Sequence, residues 1–149
     1  MTGRVDAEAL LRFEAFRRGE SGERLFRHPT CHPSQPTGFC PCDGSPAQRH
    51  LFYLKAALLD ATLKLPYDGP KIRLLRWLGA TIGERVVIAA GTWIDPTFPD
   101  LLTIEDDVMI GVQAKIALHE FRAAEFLAGR TTIRKGAVIG GFPSSTPRS

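Results

Sequence analysis

Ile82-Gly83-Glu84-Arg85-Val86-Val87-Ile88-Ala89-Ala90-Gly91-Thr92-Trp93-Ile94 returns to isoleucine at every sixth residue. The beat resumes at Ile104, Ile110 and Ile116, and again at Ile133 and Ile139, so it is a repeat. Four residues after most of these isoleucines stands a small or β-branched residue: Val86, Thr92, Val108, Ala114, Ala137. A helix needs apolar positions about 3.6 residues apart, and a half-buried strand alternates strictly. A six-residue period with inward positions at i and i+4 suits instead a short strand followed by a corner. Three such sides would close a turn of about eighteen residues, and stacked turns would bury an aliphatic column that no single turn could bury alone. Two intervals break the beat, ten residues from Ile94 to Ile104 and seventeen from Ile116 to Ile133. Such insertions go into corner loops, where binding and chemistry collect. The second of them contains His119.

The phrases Ile82-Gly83-Glu84-Arg85-Val86, Ile104-Glu105-Asp106-Asp107-Val108 and Ile110-Gly111 resemble the hexapeptide motif of the left-handed β-helix acyltransferases. The branch they look most like is the galactoside and maltose O-acetyltransferase type. The likeness extends to Ile116-Ala117-Leu118-His119-Glu120-Phe121, to Glu125-Phe126 and Gly129-Arg130, and to the return of the beat at Thr132-Ile133; it spans residues 70–142. It implies a mainly-β fold, a left-handed parallel β-helix with an N-terminal helical cap. The handedness comes from the resemblance alone, since crossover connections are normally right-handed. It also implies transfer of an acetyl group from acetyl-CoA to a hydroxyl of a sugar or related acceptor. The family is trimeric, with coenzyme A in a groove between neighbouring subunits, so the protein would be a homotrimer if its coils are complete; much of that groove comes from coils later than this chain has, and no metal is expected.

The resemblance makes His119, on the loop leaving a coil, the catalytic base. A hydroxyl is a poor nucleophile until its proton is removed in the transition state, and imidazole is suited to that task near neutral pH. Such a base needs an orienting partner on its other ring nitrogen. Glu120 and Glu125 are both candidates, and the sequence does not choose between them. Asp95, in Trp93-Ile94-Asp95-Pro96, resembles the aspartate that this family sets against the acceptor; as a bare residue it is equally a turn former before proline. Trp93 and Phe98 could wall a sugar ring, although one of them is as readily core.

Composition fits a globular chain: 44% hydrophobic, 23% charged, and no apolar run long enough to span a bilayer. The first residues lack the regions of a signal peptide, so a cytoplasmic location is the default. A net charge of +3 with scattered arginines and no aromatic-interleaved basic stripe argues against nucleic acid.

The beat divides the chain into 1–44, a short helix and a Pro/Cys-rich loop; 45–79, a helical cap; and 80–149, the repeat. Residues 6–18 read as a peripheral helix, with Asp6 as N-cap, Leu10 and Phe13 on one side and Gly19 beyond its end. Pro29, Pro33, Pro36, Pro41 and Pro46 then mark irregular chain. Cys31, Cys40 and Cys42, with His28, His32 and His50 nearby, could supply a structural zinc site. Only Cys40 and Cys42 are closely spaced, so reduced, metal-free cysteines are the expectation. Ser45-Pro46-Ala47-Gln48 is a capping box with proline at the first helical position. Leu51, Leu54, Leu58, Ala61 and Leu65 mark the face of that helix expected to pack, and Pro66 ends it. A further helix from Pro70 to Leu78 packs through Ile72, Leu75 and Leu78, turns Arg73 and Arg76 outward and stops at Gly79, with Trp77 in the cap.

Past Gly141 the beat fails, with no aliphatic at position 145 and prolines at 143 and 147. The sequence therefore predicts a shortened member with an open last coil. Two other classes compete with a transferase. A zinc carbonic anhydrase would need three converging imidazoles, and only His119 lies within the repeat. A non-catalytic scaffold or remnant would keep the repeat without a complete site.

Overall fold

A computed structural model describes residues 7–29, 38–122 and 125–141. In chain order the elements are α1 (Ala7–Arg18), β1 (Leu25–Pro29), α2 (Pro46–Leu63), α3 (Asp68–Trp77), β2 (Thr81–Ile82), β3 (Val87–Ile88), β4 (Trp93–Ile94), β5 (Leu102–Ile104), β6 (Met109–Ile110), β7 (Lys115–Ile116), β8 (His119–Arg122), β9 (Glu125–Gly129), β10 (Thr131–Ile133) and β11 (Val138–Ile139). The helices run to 12, 18 and 10 residues, whereas the parallel strands have only two or three each. The strands fall into four small separate sheets, one of them wholly antiparallel. This content overturns the expected mainly-β, left-handed parallel β-helix with a helical cap: the chain is a mixed α/β protein. The reason is physical. A six-residue period fixes which short strands pair, but says nothing of the residues before Ile82 or of the insertions, and those supply the helices, the antiparallel sheet and the aromatic core.

Within its own stretch the beat does set register. Ile82 and Ile133 both pair with Ile104, Ile88 and Ile139 both with Ile110, and Ile94 with Ile116, all in parallel. All but Ile139 are buried, along with Val86, Thr92, Val108 and Ala114. The residues beside them, Val87, Trp93, Met109 and Val138, face outward. The third residue after the isoleucine makes the corner in a left-handed conformation: φ is 54° at Arg85, 78° at Gly91, 59° at Asp107, 58° at Gln113 and 72° at Gly136. Each non-glycine residue there costs about 1–2 kcal/mol. Arg85 and Asp107, on successive corners, partly offset this with a two-pronged ion pair at 2.5 and 3.1 Å.

α2 starts as its sequence dictates. Ser45 Oγ accepts from the Gln48 N–H at 3.3 Å while Gln48 Oε1 accepts from the Ser45 N–H at 2.9 Å, and Pro46 is the first helical residue. Its orientation differs from expectation. Leu59 and Leu63 are the buried residues of the helix, and the Leu51, Leu54, Leu58, Ala61 and Leu65 stripe faces solvent. α3 is anchored by its first turn: Asp68 Oδ1 accepts from the Ile88 N–H at 3.0 Å, and Lys71, 1% exposed, donates to the Ile88 carbonyl. Arg76 is exposed, as expected, and also donates to the Ile82 carbonyl at 2.7 Å, whereas Trp77 is 66% exposed rather than packed.

The N-terminal segment is not peripheral. Phe13, Phe16, Phe26 and Phe39 pack with Phe98 and Phe126 into one buried aromatic cluster, with ring centroids 4.9–6.5 Å apart. Each fully buried phenylalanine contributes about 1.5–3 kcal/mol. β1 joins β9 antiparallel, Leu25 opposite Gly129, so residues before Pro29 and after Glu125 share a sheet. Arg17 adds an ion pair to Asp100 at 2.9 Å, and Arg130 donates to the Phe16 carbonyl at 2.6 Å. The proposed cap at Asp6 and the chain past Gly141 lie outside the described residues. Among the described residues no helix is long and apolar enough to cross a membrane.

Candidate functional site

Asp95 follows β4 directly and is 1% exposed. A buried carboxylate is tolerated only when its lone pairs are taken by donors, and here both oxygens are used. Oδ1 accepts from the Thr97 N–H at 2.9 Å, closing a local turn around Pro96. Oδ2 accepts from the Leu118 N–H at 3.1 Å and from His119 Nδ1 at 2.5 Å. Burial by itself would push the Asp95 carboxyl up, but the hydrogen bonds from His119 and Thr97 and the charge of His119 outweigh it, so the carboxyl titrates below its ordinary 3.8. Asp95 is therefore an ionised, acceptor-only group at neutral pH.

His119 opens β8, just past buried Leu118, whose carbonyl accepts from the Gly129 N–H at 2.9 Å. The imidazole stands edge-on to Phe98 at 5.4 Å and to Phe121 at 5.8 Å, and is tilted against Phe126 at 6.1 Å. Because an ionised Asp95 can only accept, the neutral form of the ring must carry its proton on Nδ1, which in that form leaves the Nε2 lone pair available. No described residue hydrogen-bonds Nε2, and the His119 side chain keeps 21% exposure. Such a pair can take a proton at Nε2 and stabilise the resulting imidazolium through the carboxylate behind it.

The partner of Nδ1 is thus Asp95, not either glutamate. Glu120 is exposed and bonded to Arg122 Nε at 3.2 Å. Glu125, on β9, lies opposite Arg122 in the strand register. Asp95, with both oxygens engaged inside the protein, is not presented to an acceptor's hydroxyls. Phe98 is wholly buried and backs the imidazole, so it forms no outer wall with Trp93, which sits 41% exposed on β4 opposite Lys115.

A cleft of about 230 Å³ borders His119, lined by Leu25, Arg27, Leu118, Glu120, Arg122 and Leu127 among others. Across the antiparallel sheet, Phe26, Ala128 and His119 form one row and Arg27, Leu127 and Glu120 the next. Successive strand residues point to opposite faces. The imidazole packs on the phenylalanine face, and the Arg27 row belongs to the other.

Cys40 and Cys42 are joined in a disulfide rather than reduced, with Cα atoms 5.1 Å apart; Cys31 and His32, from the zinc expectation, lie outside the described residues. Among the described residues no three His, Cys, Asp or Glu side chains converge as a metal site.

Chemically the site is a carboxylate–imidazole pair with one open ring nitrogen, held at the junction of a parallel and an antiparallel sheet. No protein-family model, no curated protein and no solved structure matches the chain.

Proposed function

We propose that the protein is an O-acyltransferase in which His119 is the general base. The observation that carries this reading is the Asp95–His119 bond, which fixes the ring tautomer and leaves Nε2 free. Nε2 removes the proton of an acceptor hydroxyl, and the oxygen attacks the carbonyl carbon of a thioester. The tetrahedral intermediate then collapses, breaking the carbon–sulfur bond, and the departing thiolate takes the proton back from His119. Asp95 holds the imidazole in place and stabilises its protonated form throughout. The likeness of Ile116-Ala117-Leu118-His119-Glu120-Phe121 to the O-acetyltransferases supports an acetyl donor, acetyl-CoA, and a sugar-like acceptor in the cytoplasm.

A non-catalytic reading is favoured by a separate observation: Asp95 also accepts from the backbone of Thr97 and Leu118, so it fixes the local chain whether or not His119 reacts. Thiol release from acetyl-CoA, measured with and without a panel of sugar acceptors, separates the two. Acceptor-dependent release that disappears in His119→Gln supports the transferase; no release from the folded protein leaves the scaffold.

A further inference from the structure

The Cys40–Cys42 disulfide ties no two parts of the fold together. Only Pro41 lies between the cysteines, and closing so short a loop takes little freedom from the unfolded chain, so the bond is no staple of the kind that stabilises small domains. The turn that carries it is held by other means. Phe39, just before it, is 4% exposed and stacks on Phe126 with ring centroids 4.9 Å apart. The Asp43 N–H donates to the Cys40 carbonyl at 2.9 Å, the Gly44 N–H to the Pro41 carbonyl at 3.3 Å, and the Gly38 N–H to Asp43 Oδ2 at 3.1 Å. Ser45 then opens α2 with its capping box. A turn fixed on both flanks keeps its two cysteines together whether or not their sulfurs are joined.

The two sulfurs differ in surroundings, and the difference gives the bond a direction. Both cysteines are half-buried, within reach of a reagent in solution. The Cys42 N–H donates to Cys40 Sγ at 3.3 Å and so stabilises negative charge there, whereas the Asp43 carboxylate lies 3.9 Å from Cys42 Sγ and opposes it. Cys40 is thus the better leaving thiolate. We propose that Cys40 and Cys42 are a redox-active pair, independent of the acyl-transfer chemistry, that exchanges with dithiols while the protein stays folded. A thiolate of the dithiol attacks Cys42 Sγ, the sulfur–sulfur bond breaks, and its electron pair leaves on Cys40, which takes up a proton. The second thiol of the dithiol, on losing its proton, attacks the dithiol's own first sulfur, closing a cyclic disulfide and releasing Cys42 as a thiolate that is then protonated. Two electrons and two protons pass from the dithiol to the protein, and exchange with a disulfide oxidant restores the bond.

The test is made on Cys31→Ser, so that no third thiol enters the exchange. The folded protein is treated with reduced dithiothreitol, then desalted into oxidised glutathione, and at each stage its free thiols are trapped with N-ethylmaleimide and counted by mass spectrometry. Two adducts should appear together after dithiothreitol and vanish after oxidised glutathione, while the melting temperature of the reduced protein moves by less than about 4 °C. In single variants on the same background at neutral pH, the Cys40 thiol of Cys42→Ser should be alkylated by iodoacetamide about three- to tenfold faster than the Cys42 thiol of Cys40→Ser. A bond that is reduced only once urea has unfolded the chain would overturn the proposal, as would thiols that fail to rejoin in oxidised glutathione. A much larger fall in melting temperature on reduction would make the bond a structural staple instead. Equal alkylation rates, or Cys42 the faster, would overturn the direction of attack.

Discussion

Asp95 and His119 are bonded side chain to side chain across 24 residues of sequence, and the bond joins the end of β4 to the start of β8. In the proposed mechanism His119 thus depends on a partner whose two carboxylate oxygens are turned inward.

On the proposed acyltransferase function, His119→Ala should lower the turnover of acyl transfer by roughly two to four powers of ten. The fold should survive, since the ring is only partly buried. Steady-state thiol release together with a circular dichroism melt checks both halves; an unchanged turnover would remove His119 from the chemistry.

Asp95→Asn should act on turnover rather than on the acceptor's Michaelis constant, because the carboxylate faces inward to His119, Thr97 and Leu118. An amide can hold the wrong tautomer, and a loss of roughly 10⁴ is the precedent for that change. Stability should fall as well, by about 1–3 kcal/mol, through imperfectly satisfied backbone donors. Separate determinations of kcat and KM for each substrate decide the first point, and urea midpoints the second.

The pH dependence of stability has a sign fixed by Asp95. Its carboxyl titrates lower in the folded protein than its ordinary 3.8, so its contribution is fully present above that value and is lost as pH falls through the lower, folded value. Between neutrality and about pH 5 Asp95 should contribute almost no slope, and below that the urea midpoint should drop. In Asp95→Asn that part of the acid loss should be absent. Urea titrations of both proteins across the acid range test this.

The two faces of α2 should respond oppositely to truncation. Leu59→Ala, at a side chain 1% exposed, should cost about 2–5 kcal/mol. Leu54→Ala, at 67% exposure, should stay within about 0.5 kcal/mol. Denaturant midpoints for the pair would show at once which side of the helix is packed.

Much of the repeat was legible in the sequence because its information is local. The isoleucine beat specified strand partners, and the capping residues specified where α2 begins. Fold class was not legible, because Phe13 lies on a helix that reads as peripheral, Phe26 and Phe39 sit in stretches with no usable period, and all three acquire meaning only when they meet Phe98 and Phe126 from far along the chain. The face of α2 was misread for a different reason. The helix carries two apolar stripes, Phe52, Ala56, Leu59 and Leu63 as well as Leu51, Leu54 and Leu58, and periodicity cannot say which one a neighbour will cover. The role of Asp95 had a signal that adjacency in sequence obscured. Since Ile94 pairs with Ile116, the residue after Ile94 must lie beside the chain leaving Ile116, and that chain leads to His119. Glu120 and Glu125 are nearer in number but belong to strands that carry them elsewhere.

The pairing of β1 with β9 also imposes a schedule. Leu25 must wait for Gly129, about a hundred residues later, before its strand has a partner. At about 5–20 residues per second on the ribosome, Phe26 and the unpaired edge of β1 stay open for roughly 5–20 seconds. The sheet that carries His119 thus cannot close before Gly129 has been made, and until then a newly made chain holds β1 without its partner.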